Sequence, residues 1–453
     1  MMSLTEAAAM TSGRVSGADV RFSGVSTDSR SLKQGELFVA LRGDRFDGHE
    51  FLGAAVQRGA AAAMVDRRYQ GPYDVPVVIV EDTKRGLGEL ARNWRARFAP
   101  ALIGIAGSNG KTTVKEMVAS ILRAHAGEQA VLATTGNLNN DIGVPIMLLR
   151  LRPGHRLCAI ELGMNHPGEI AYLASLAAPT VALVNNAQRE HLEFMNSVEE
   201  VAAENASVYA ALPADGVAIV NADDEHAAFF RGRAGKRRVV DFGLEQGAVR
   251  GRYKLGDLSS ELTLRTPHGE ARAVLAIPGL HNVRNALAAA ACAVAVNIPA
   301  KTIGEGLSAF RPYTGRLQVK QARDGATVID DSYNANPDSV RAAIDVLASC
   351  PAPRVLVLGD MGEVGARGPE FHREVGAYAR TRGIDRLLAL GEASVHAVEG
   401  FGAGAQHFAD VEALVPALLS QSGGRTVLVK GSRFMRMERV VAALTGTRTE
   451  GAH

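Results

Sequence analysis

Residues 104–117 have the sequence GIAGSNGKTTVKEM, in which a glycine-rich turn joins an apolar run to a stretch of helix-forming residues. The apolar run ALIGIAG, residues 101–107, predicts a buried β-strand, and a helix is expected to begin near Thr112. Free backbone N–H groups at a helix N-terminus, together with the helix dipole, favour a bound anion. The turn therefore predicts a phosphate site.

The residue types in the turn indicate how a nucleotide phosphate would be held. Gly107 and Gly110 permit close approach of the backbone, Lys111 can reach the β- and γ-phosphates, and the Thr112 hydroxyl is placed for Mg²⁺. The general P-loop pattern is matched imperfectly, because Ile105 stands where its first glycine would be. A purely structural turn is the alternative. A kinase, a GTPase-like switch and an ATP-driven ligase could all use such a cradle.

Length and charge limit the class of protein. The chain has 453 residues, which at roughly 150 residues per domain suggests about three domains. A hydrophobic fraction of 47% and a charged fraction of 22% are those of an ordinary globular protein. Lysine plus arginine (50) nearly balances aspartate plus glutamate (48), so no net field favours nucleic acid as a partner.

The cysteines and the hydropathy pattern indicate a cytoplasmic location. The three cysteines are far apart in sequence and odd in number, which favours free thiols in a reducing compartment. The N-terminus lacks a basic region followed by an apolar run, and no segment offers 18 uninterrupted apolar residues. Neither export nor membrane insertion is therefore expected.

The pattern of strands and helices predicts an α/β protein of three domains. Residues 1–99 form a small α/β domain, in which the strands ELFVAL and VPVVIV flank a helical stretch, residues 50–65. Residues 100–313 form a central P-loop ATPase domain with a mostly parallel sheet, because short apolar runs ending in Gly, Asn or Asp alternate with helical stretches. Residues 314–453 form a second doubly wound, Rossmann-like domain.

Two further strand ends of the central domain carry residues suited to chemistry. Glu161 ends the strand LCAIELG, and His191 follows the next strand in NNAQREHLEF. The carboxyl ends of parallel strands meet at one crevice, so an acid and an imidazole could reach the same site, where a carboxylate could hold Mg²⁺. Taken singly, Glu161 would be a helix cap or ion-pair partner and His191 a surface or core residue.

The chain as a whole resembles a known family, the ATP-dependent Mur ligases of peptidoglycan synthesis. The resemblance extends over essentially the whole chain and rests on the motifs GSNGKTT, NLNNDIGVP, ELGMNHPGEI, PGLHNVRNALAA, DDSYNANPDS, LGDMGEVG and KGSRFMRME. Within the family, NLNNDIGVP and DDSYNANP are most similar to members that join D-Ala-D-Ala to UDP-MurNAc-tripeptide. The implied reaction proceeds through phosphorylation of the tripeptide carboxylate by ATP and attack of the dipeptide amine on the acyl phosphate.

The resemblance also implies roles for individual residues. It implies a nucleotide site formed by Gly107, Ser108, Asn109, Gly110, Lys111, Thr112, Thr113, His281, Asn282, Asn285, Arg316 and Asp331. It implies substrate contacts from Ser29, Arg30, Asn139, Asn140, Asn334, Asn336 and Lys430. It implies catalytic roles for Lys111, Glu161 and His191, with Thr112, Glu161 and His191 around Mg²⁺. The UDP end would bind the N-terminal domain, and the C-terminal domain would close over the nucleotide. An isolated Asn pair is more often a turn.

One departure from the family pattern concerns the helix after His191. Many Mur ligases carry there a lysine that reacts with CO₂ to form a carbamate, which helps to hold a second Mg²⁺. An ungapped alignment of residues 191–213 places Asn205 at that position, and there is no lysine between Lys115 and Lys236. We therefore expect an enzyme that needs Mg²⁺ but is indifferent to bicarbonate. Glu204 would supply the missing carboxylate, or it is a solvated helix residue.

Two alternative functions remain at this stage. The first is another amide ligase of the superfamily, such as a D-glutamate or diamino-acid adding enzyme or folylpolyglutamate synthetase. The second is a P-loop regulatory ATPase whose output is conformational, which would leave the Asn pair and DDSYNANP without a role. The expected protein acts as a monomer, and the sequence leaves open whether the third residue of the tripeptide is meso-diaminopimelate or lysine.

Overall fold

In the computed structural model, which describes residues 1–43, 46–420 and 424–447, buried strands alternate with helices along most of the chain. Three successive sheets define what we call the N-terminal, central and C-terminal units. The elements of the N-terminal unit are β1 (Met2–Ser3), α1 (Leu4–Met10), β2 (Arg14–Ser16), β3 (Arg21–Phe22), β4 (Val25–Ser26), β5 (Leu37–Val39), β6 (Arg42–Gly43), β7 (Phe46–Asp47), a 3₁₀ turn (Gly48–Phe51), α2 (Leu52–Gln57), β8 (Ala62–Asp66), β9 (Val77–Val80) and α3 (Thr83–Arg95).

The main sheet of the N-terminal unit has the strand order β2-β9-β8-β5-β4, with β2 antiparallel and the others parallel. The expectation of one helix over residues 50–65 is wrong for its second half. The helix ends at Gln57, Gly59 turns the chain with φ of +89°, and Ala62–Asp66 form a strand inside the sheet. Every residue of that strand is buried, so tertiary packing outweighs the helix propensity of its alanines.

The central unit contains the glycine-rich turn and the largest share of the helices. Its elements are β10 (Ala101–Ala106), α4 (Lys111–Ala126), a 3₁₀ turn (Glu128–Ala130), β11 (Val131–Ala133), α5 (Gly143–Leu148), β12 (Leu157–Glu161), α6 (Glu169–Ala177), β13 (Val181–Val184), α7 (Val198–Ala206), a 3₁₀ turn (Ser207–Ala211), β14 (Val217–Asn221), α8 (Ala227–Ala234), β15 (Arg238–Phe242), β16 (Arg250–Leu255), β17 (Ser260–Thr266), β18 (Gly269–Leu275), α9 (Leu280–Ala295) and α10 (Ala300–Ala309).

The central sheet is entirely parallel, with the order β11-β12-β10-β13-β14-β15. The strand before the glycine-rich turn therefore lies between β12 and β13, and Ile105 pairs with Glu161. Because parallel strands end at the same edge, the turn, Glu161 and the segment after β13 come together there. A smaller antiparallel sheet, β16-β17-β18, packs against α9 and α10 and was not anticipated from the sequence.

The C-terminal unit repeats the doubly wound arrangement. Its elements are β19 (Gln318–Gln321), β20 (Thr327–Asp331), α11 (Pro337–Ser349), β21 (Arg354–Gly359), a 3₁₀ turn (Gly365–Arg367), α12 (Gly368–Thr381), β22 (Arg386–Leu390), α13 (Val395–Phe401), β23 (Ala405–Phe408), α14 (Val411–Leu419), β24 (Thr426–Lys430), a 3₁₀ turn (Arg433–Met435) and α15 (Glu438–Thr445). Its sheet has the order β19-β20-β24-β21-β22-β23, and only β19 is antiparallel.

The hydrophobic cores run across the boundaries between the units. One buried cluster joins α1, β5 and α3 to β12 and α6, and another joins α4 and α9 to α11 and β21. Within the part of the chain that the structure describes, no helix has the length and hydropathy needed to cross a bilayer. The packed boundaries bring residues of the central and C-terminal units together at the edge where the glycine-rich turn lies.

Candidate active site

The glycine-rich turn, residues 107–110, requires glycine at two of its positions. Gly107 and Gly110 have φ of +132° and +82°, a region that side chains disfavour. A Cβ atom on Gly110 would also lie 2.4 Å from Oδ1 of Asn285, and one on Gly107 would lie 2.9 Å from the backbone nitrogen of Asn185. The turn thus approaches neighbouring amides more closely than any other residue type would allow.

Not all N–H groups of the turn are free for a phosphate, contrary to the simplest expectation. Gly107 N–H donates to Oδ1 of Asn205 at 2.8 Å, and Asn186 accepts from Ser108 N–H (3.0 Å) and Asn109 N–H (2.8 Å). Within the described residues, the N–H groups of residues 110–113 have no acceptor. An anion would therefore be held by the first turn of α4, where the helix dipole is also favourable.

Lys111, the first residue of α4, bends back over the turn. Its Nζ donates to the carbonyl oxygens of Gly107 at 2.5 Å and Ser108 at 2.9 Å, and it lies 3.2 Å from Oε1 of Glu190. Burial alone would raise the pKa of Glu190, but Lys111 and His191 outweigh it and hold the pKa below its usual range. Glu190 was not predicted from the sequence, and a phosphate that approaches Lys111 competes with it.

Glu161 presents an oxygen that the protein leaves unused. Its Oε1 accepts hydrogen bonds from the Thr112 hydroxyl at 3.2 Å and from Nδ2 of Asn139 at 2.8 Å. Its Oε2 is buried and has no hydrogen-bond partner among the described residues. A carboxylate oxygen and a hydroxyl at the phosphate end of a P-loop are the ligands that Mg²⁺ takes, with waters and phosphate oxygens completing the shell. The residues present therefore fit a magnesium ion.

His191 lies between two carboxylates. Its Nδ1 is 2.6 Å from Oε2 of Glu363, and its Nε2 is 3.5 Å from Oε1 of Glu190. Burial lowers the pKa of His191, but the two carboxylates outweigh burial and raise the pKa to about 9. The imidazole is therefore a cation at neutral pH and would have to lose a proton before it could bind a metal. No group of three or more His, Cys, Asp or Glu side chains could hold a metal ion within the described ranges.

The two asparagines predicted to contact the peptide substrate have separate local roles. Asn139 bonds Glu161, as described above, whereas Oδ1 of Asn140 accepts from the N–H groups of Ile142 (3.3 Å) and Gly143 (2.8 Å). Asn140 thus forms the turn that begins α5, which was the alternative interpretation of the pair. Both residues nevertheless line the cavity at the phosphate end of the turn.

Two cavities meet at the turn. One, of about 540 Å³, contains on its walls the predicted nucleotide residues Asn109, Gly110, Thr113, His281, Asn282, Asn285, Arg316 and Asp331, together with Lys430. The other, of about 400 Å³, is lined by the predicted residues Ser108, Lys111, Thr112, Asn139, Asn140, Glu161, His191, Asn334 and Asn336. Asn109, Gly110, Thr113 and Arg316 border both. The turn therefore separates two cavities, one lined mainly by the predicted nucleotide residues and the other by the predicted catalytic and substrate residues.

The wall of the larger cavity is a chain of amides that ends at His281. Asn185 donates to Asn285, Asn285 to Asn282, and Asn282 to Nε2 of His281, each at 3.0 Å. Burial lowers the pKa of His281 to about 4, so its ring is neutral and Nε2 can accept the bond. Such a chain fixes the orientation of each amide on this wall of the cavity.

The C-terminal unit supplies cations to the same cavities. Lys430 Nζ donates to Oδ2 of Asp331 at 2.5 Å and to the carbonyl oxygen of Asn334 at 2.9 Å. Burial lowers the pKa of Lys430, although Asp331 opposes this shift. The Arg316 guanidinium lies 4.2 Å from the ring centre of Tyr333, and its Nε is buried without an acceptor in the described part of the chain. An anion in the cavity would satisfy this donor.

Ser29 and Arg30, predicted to contact substrate, border neither cavity. The Arg30 guanidinium is exposed and forms an ion pair with Asp28 at 2.8 Å. Residues 44 and 45 of the neighbouring motif GDRFDGHEF lie outside the described residues. The role of Ser29 and Arg30 in holding the UDP end of a substrate stays a prediction.

Asn205 and Glu204 correct the expectation for the helix α7. The Asn205 side chain is buried, accepts from Gly107 N–H and donates to the carbonyl oxygen of Val201 at 3.1 Å. The carboxylate of Glu204 instead accepts from the N–H groups of Gly168 (2.9 Å) and Ile170 (2.8 Å), at the start of α6. Both oxygens of Glu204 are thus engaged in a helix cap, which differs from the solvated role expected for it, and its use as a metal ligand stays a prediction.

Comparison with known proteins identifies the class. Residues 21–95 match the Mur ligase family catalytic domain, residues 105–293 the Mur ligase middle domain, and residues 315–433 the Mur ligase glutamate ligase domain. The Escherichia coli K12 UDP-N-acetylmuramoyl-tripeptide–D-alanyl-D-alanine ligase is 42% identical over 98% of both chains. The Bacillus subtilis protein of the same name is 34% identical over 94% of this chain and 93% of its own.

Solved structures agree with these matches. A crystal structure of MurF from Acinetobacter baumannii has a TM-score of 0.90 at 34% identity, with 98% of this chain and 99% of that chain covered. MurF ligase from Thermotoga maritima, in complex with ADP, has a TM-score of 0.81 at 25% identity, with 93% and 97% covered. The fold is that of the amide-forming Mur ligases, with three α/β units. The chain belongs to the Mur ligase family, which confirms the resemblance and the predicted fold class.

Proposed function

We propose that the protein joins D-Ala-D-Ala to UDP-MurNAc-tripeptide in an ATP-dependent reaction, giving the UDP-MurNAc-pentapeptide precursor of peptidoglycan. The proposal rests on two cavities that meet at Asn109, Gly110, Thr113 and Arg316, with Lys111 and Thr112 on the wall of the smaller one. The Escherichia coli relative that bears the name of this ligase aligns with the chain over 98% of its own length. ATP would occupy the larger cavity, and its γ-phosphate would point towards the smaller one. The tripeptide carboxylate would enter from the opposite side.

Each proposed step has a residue of this chain to support it. Lys111 would neutralise charge on the transferring phosphoryl group once Glu190 gives way. Arg316 borders both cavities, and its Nε has no acceptor among the residues that the structure describes, so it would bind the phosphates. The amine of D-Ala-D-Ala would attack the acyl phosphate, which must be shielded from water; contacts between the central and C-terminal units provide that shield.

Magnesium belongs to this proposal through Thr112, Glu161 and His191. A bound Mg²⁺ would neutralise charge on the phosphates during transfer. Because His191 is protonated between its carboxylates, its use as a ligand would release a proton. Titration of Mg²⁺ and a non-hydrolysable ATP analogue at pH 7, in buffers of different ionisation enthalpy, should show that release, and it should vanish in His191→Gln. Equal proton release in both proteins would remove His191 from the metal site.

The division into domains at residues 99/100 and 313/314 is part of the same proposal, since each proposed domain contains one main sheet. A monomer as the active form is part of the same proposal. The proposed location is the cytoplasm, where ATP is available.

A phosphate-release assay with each substrate omitted in turn tests the proposal. We expect release only when ATP, UDP-MurNAc-tripeptide and D-Ala-D-Ala are all present. Use of D-glutamate or a diamino acid as the amine would indicate another ligase of the family. ATP turnover without any muramyl peptide would indicate a regulatory ATPase. Parallel reactions with meso-diaminopimelate and lysine tripeptides would identify the third residue.

A further inference from the structure

Arg189, two residues before His191, forms the densest set of charged contacts between the central and C-terminal units. Its Nη2 and Nε donate to Oδ1 of Asp338 at 2.6 and 3.1 Å, and its backbone N–H donates to Oδ2 at 2.9 Å. Its Nη1 and Nη2 donate to Glu374 at 2.7 and 3.1 Å. One guanidinium therefore binds two carboxylates, each through two nitrogen atoms.

These contacts cross from one unit to the other. Arg189 follows β13 of the central unit, whereas Asp338 lies in the first turn of α11 and Glu374 lies on α12. The guanidinium also lies 5.2 Å from the ring centre of Phe371, on α12. Arg189 and Asp338 side chains are each only 23% exposed, so water screens the pair less than it would at an open surface. Paired, charge-assisted bonds of this kind fix orientation as well as adding attraction.

The residues that follow Arg189 belong to the proposed active site. Glu190 contacts Lys111, and His191 contacts Glu363 of the C-terminal unit, at the distances given above. His191 and Glu363 both have positive φ, of +53° and +59°, a conformation that non-glycine residues keep only where their surroundings enforce it. Arg189, Glu190 and His191 are thus each held by a contact, and the contacts of Arg189 and His191 come from the C-terminal unit.

The start of α11 also reaches the glycine-rich turn. Asn336 caps this helix, and its Nδ2 donates to Oδ1 of Asn109 at 2.9 Å. Asp338 and Asn336 therefore connect the start of α11 to two segments of the central unit, the one that begins at Arg189 and the glycine-rich turn. Rotation of α11 away from the cleft would break both connections together.

We propose that Arg189 is a positioning residue. Together with Asp338 and Glu374 it forms what we call the interdomain clamp, and this clamp converts docking of the C-terminal unit into the correct placement of Glu190 and His191. Arg189 acts through these neighbours and transfers no group itself. The inference deepens the proposed function and rests on it, because placement at the phosphate end matters only for a phosphoryl-transfer reaction. Loss of the clamp should therefore reduce turnover more than nucleotide binding.

The test compares Arg189→Met with a matched control, Arg341→Met. Arg341 binds the same carboxylate, Glu374, at 3.1 Å and lies 4.0 Å from the ring centre of Tyr378, but both partners belong to its own unit. In the phosphate-release assay we expect Arg189→Met to lower kcat by about tenfold or more, with a KM for ATP within about threefold of the wild-type value. Arg341→Met should stay within about twofold. Arg189→Lys should be intermediate, because an ammonium cannot form two paired sets of bonds.

A double-mutant cycle separates the clamp from a general loss of stability. If Asp338 acts through Arg189, the Arg189→Met/Asp338→Asn protein should have about the kcat of Arg189→Met alone, rather than the product of both losses. A kcat for Arg189→Met within about twofold of the original, an equal loss in Arg341→Met, or a rise in the KM for ATP as large as the fall in kcat would each overturn the proposal.

Solution scattering gives a readout that does not depend on the reaction. With Mg²⁺ and a non-hydrolysable ATP analogue, the original protein and Arg341→Met should have the radius of gyration of the docked arrangement, and Arg189→Met a larger one. Identical radii in all three proteins would overturn the clamp even if the proposed reaction is correct. If the original protein releases no phosphate with any substrate set but Arg189→Met is still expanded, the proposed function fails and the clamp stands as a structural contact.

Discussion

The amide oxygen of Asn205 accepts a 2.8 Å hydrogen bond from the backbone N–H of Gly107, so a buried side chain on α7 anchors the start of the glycine-rich turn. The same amide donates to Val201 of its own helix. Asn205, which the sequence places where a carbamylated lysine was expected, is therefore a neutral group with a structural partner.

Because of this anchor, Asn205→Ala should lower the free energy of unfolding more than Glu204→Gln. The alanine variant leaves a buried N–H without an acceptor, at a cost of about 1–3 kcal/mol. The glutamine variant keeps one acceptor oxygen, for the N–H of Ile170, and the exposed N–H of Gly168 can bond water instead. It therefore loses mainly the charge at the start of α6, worth about 0.3–1 kcal/mol. Chemical denaturation with Asn196→Ala as an exposed control measures this order. A greater loss of stability in Glu204→Gln would contradict it.

Activity should be indifferent to CO₂. Lysine is absent from the sequence between Lys115 and Lys236, and the ammonium of Lys115 is bound to the carbonyl oxygen of Thr134 at 2.7 Å. Turnover measured in degassed buffer, with and without added bicarbonate, should agree within about twofold. Restoration of lost activity by bicarbonate, or a carbamate detected on a lysine of the purified protein, would show that another residue takes this role.

Replacing Lys111 by alanine should abolish ligation while the fold persists. The ammonium is the cation nearest the start of α4, and its loss removes stabilisation of the transferring phosphoryl group, so we expect kcat to fall by about 10²–10³-fold or more. Lys301→Ala, whose side chain is 88% exposed, is the matched control. Circular dichroism checks the fold. Near-original turnover in Lys111→Ala would exclude the proposed phosphate site.

The ligand-free protein should lose stability as the pH rises from neutral to about 9. The pKa of His191 in the folded protein is raised to about 9 from an ordinary value near 6.5, so the folded state holds a proton that the unfolded chain releases. The stabilisation is complete below about pH 6.5 and disappears as the pH passes through 9, with an upper limit of about 3 kcal/mol. Unfolding free energies of the original protein and His191→Gln should converge over this range. A constant difference would contradict the prediction.

The parts of the fold that depend on local pattern could be predicted from the sequence. The turn from Gly107 to Gly110 and the strands that end at Glu161 and Lys430 follow from glycine placement and apolar runs, which act over a few residues. Ala62–Asp66 could not be assigned correctly, because alanines favour a helix locally and only burial within the sheet makes them a strand.

The contacts of the site were less predictable, because they join distant parts of the chain. Glu190 and Arg189 stand beside His191 in the sequence, yet only the fold brings one to Lys111 and the other to Asp338 and Glu374. The sequence offered one signal for these two residues, which is that they are a charged pair directly before the candidate histidine. Glu204 and Asn205 show the opposite limit: adjacent residues on a helix point about 100° apart, so position in sequence does not decide which of them faces the turn.

The proposed ligation is tested most directly by the mass of the product that the protein forms from ATP, UDP-MurNAc-tripeptide and D-Ala-D-Ala. We expect a product heavier than the tripeptide substrate by one D-Ala-D-Ala minus one water, formed in equal amount with ADP and phosphate, and absent with Lys111→Ala. An unchanged tripeptide mass together with continued ATP hydrolysis would contradict the proposed ligation.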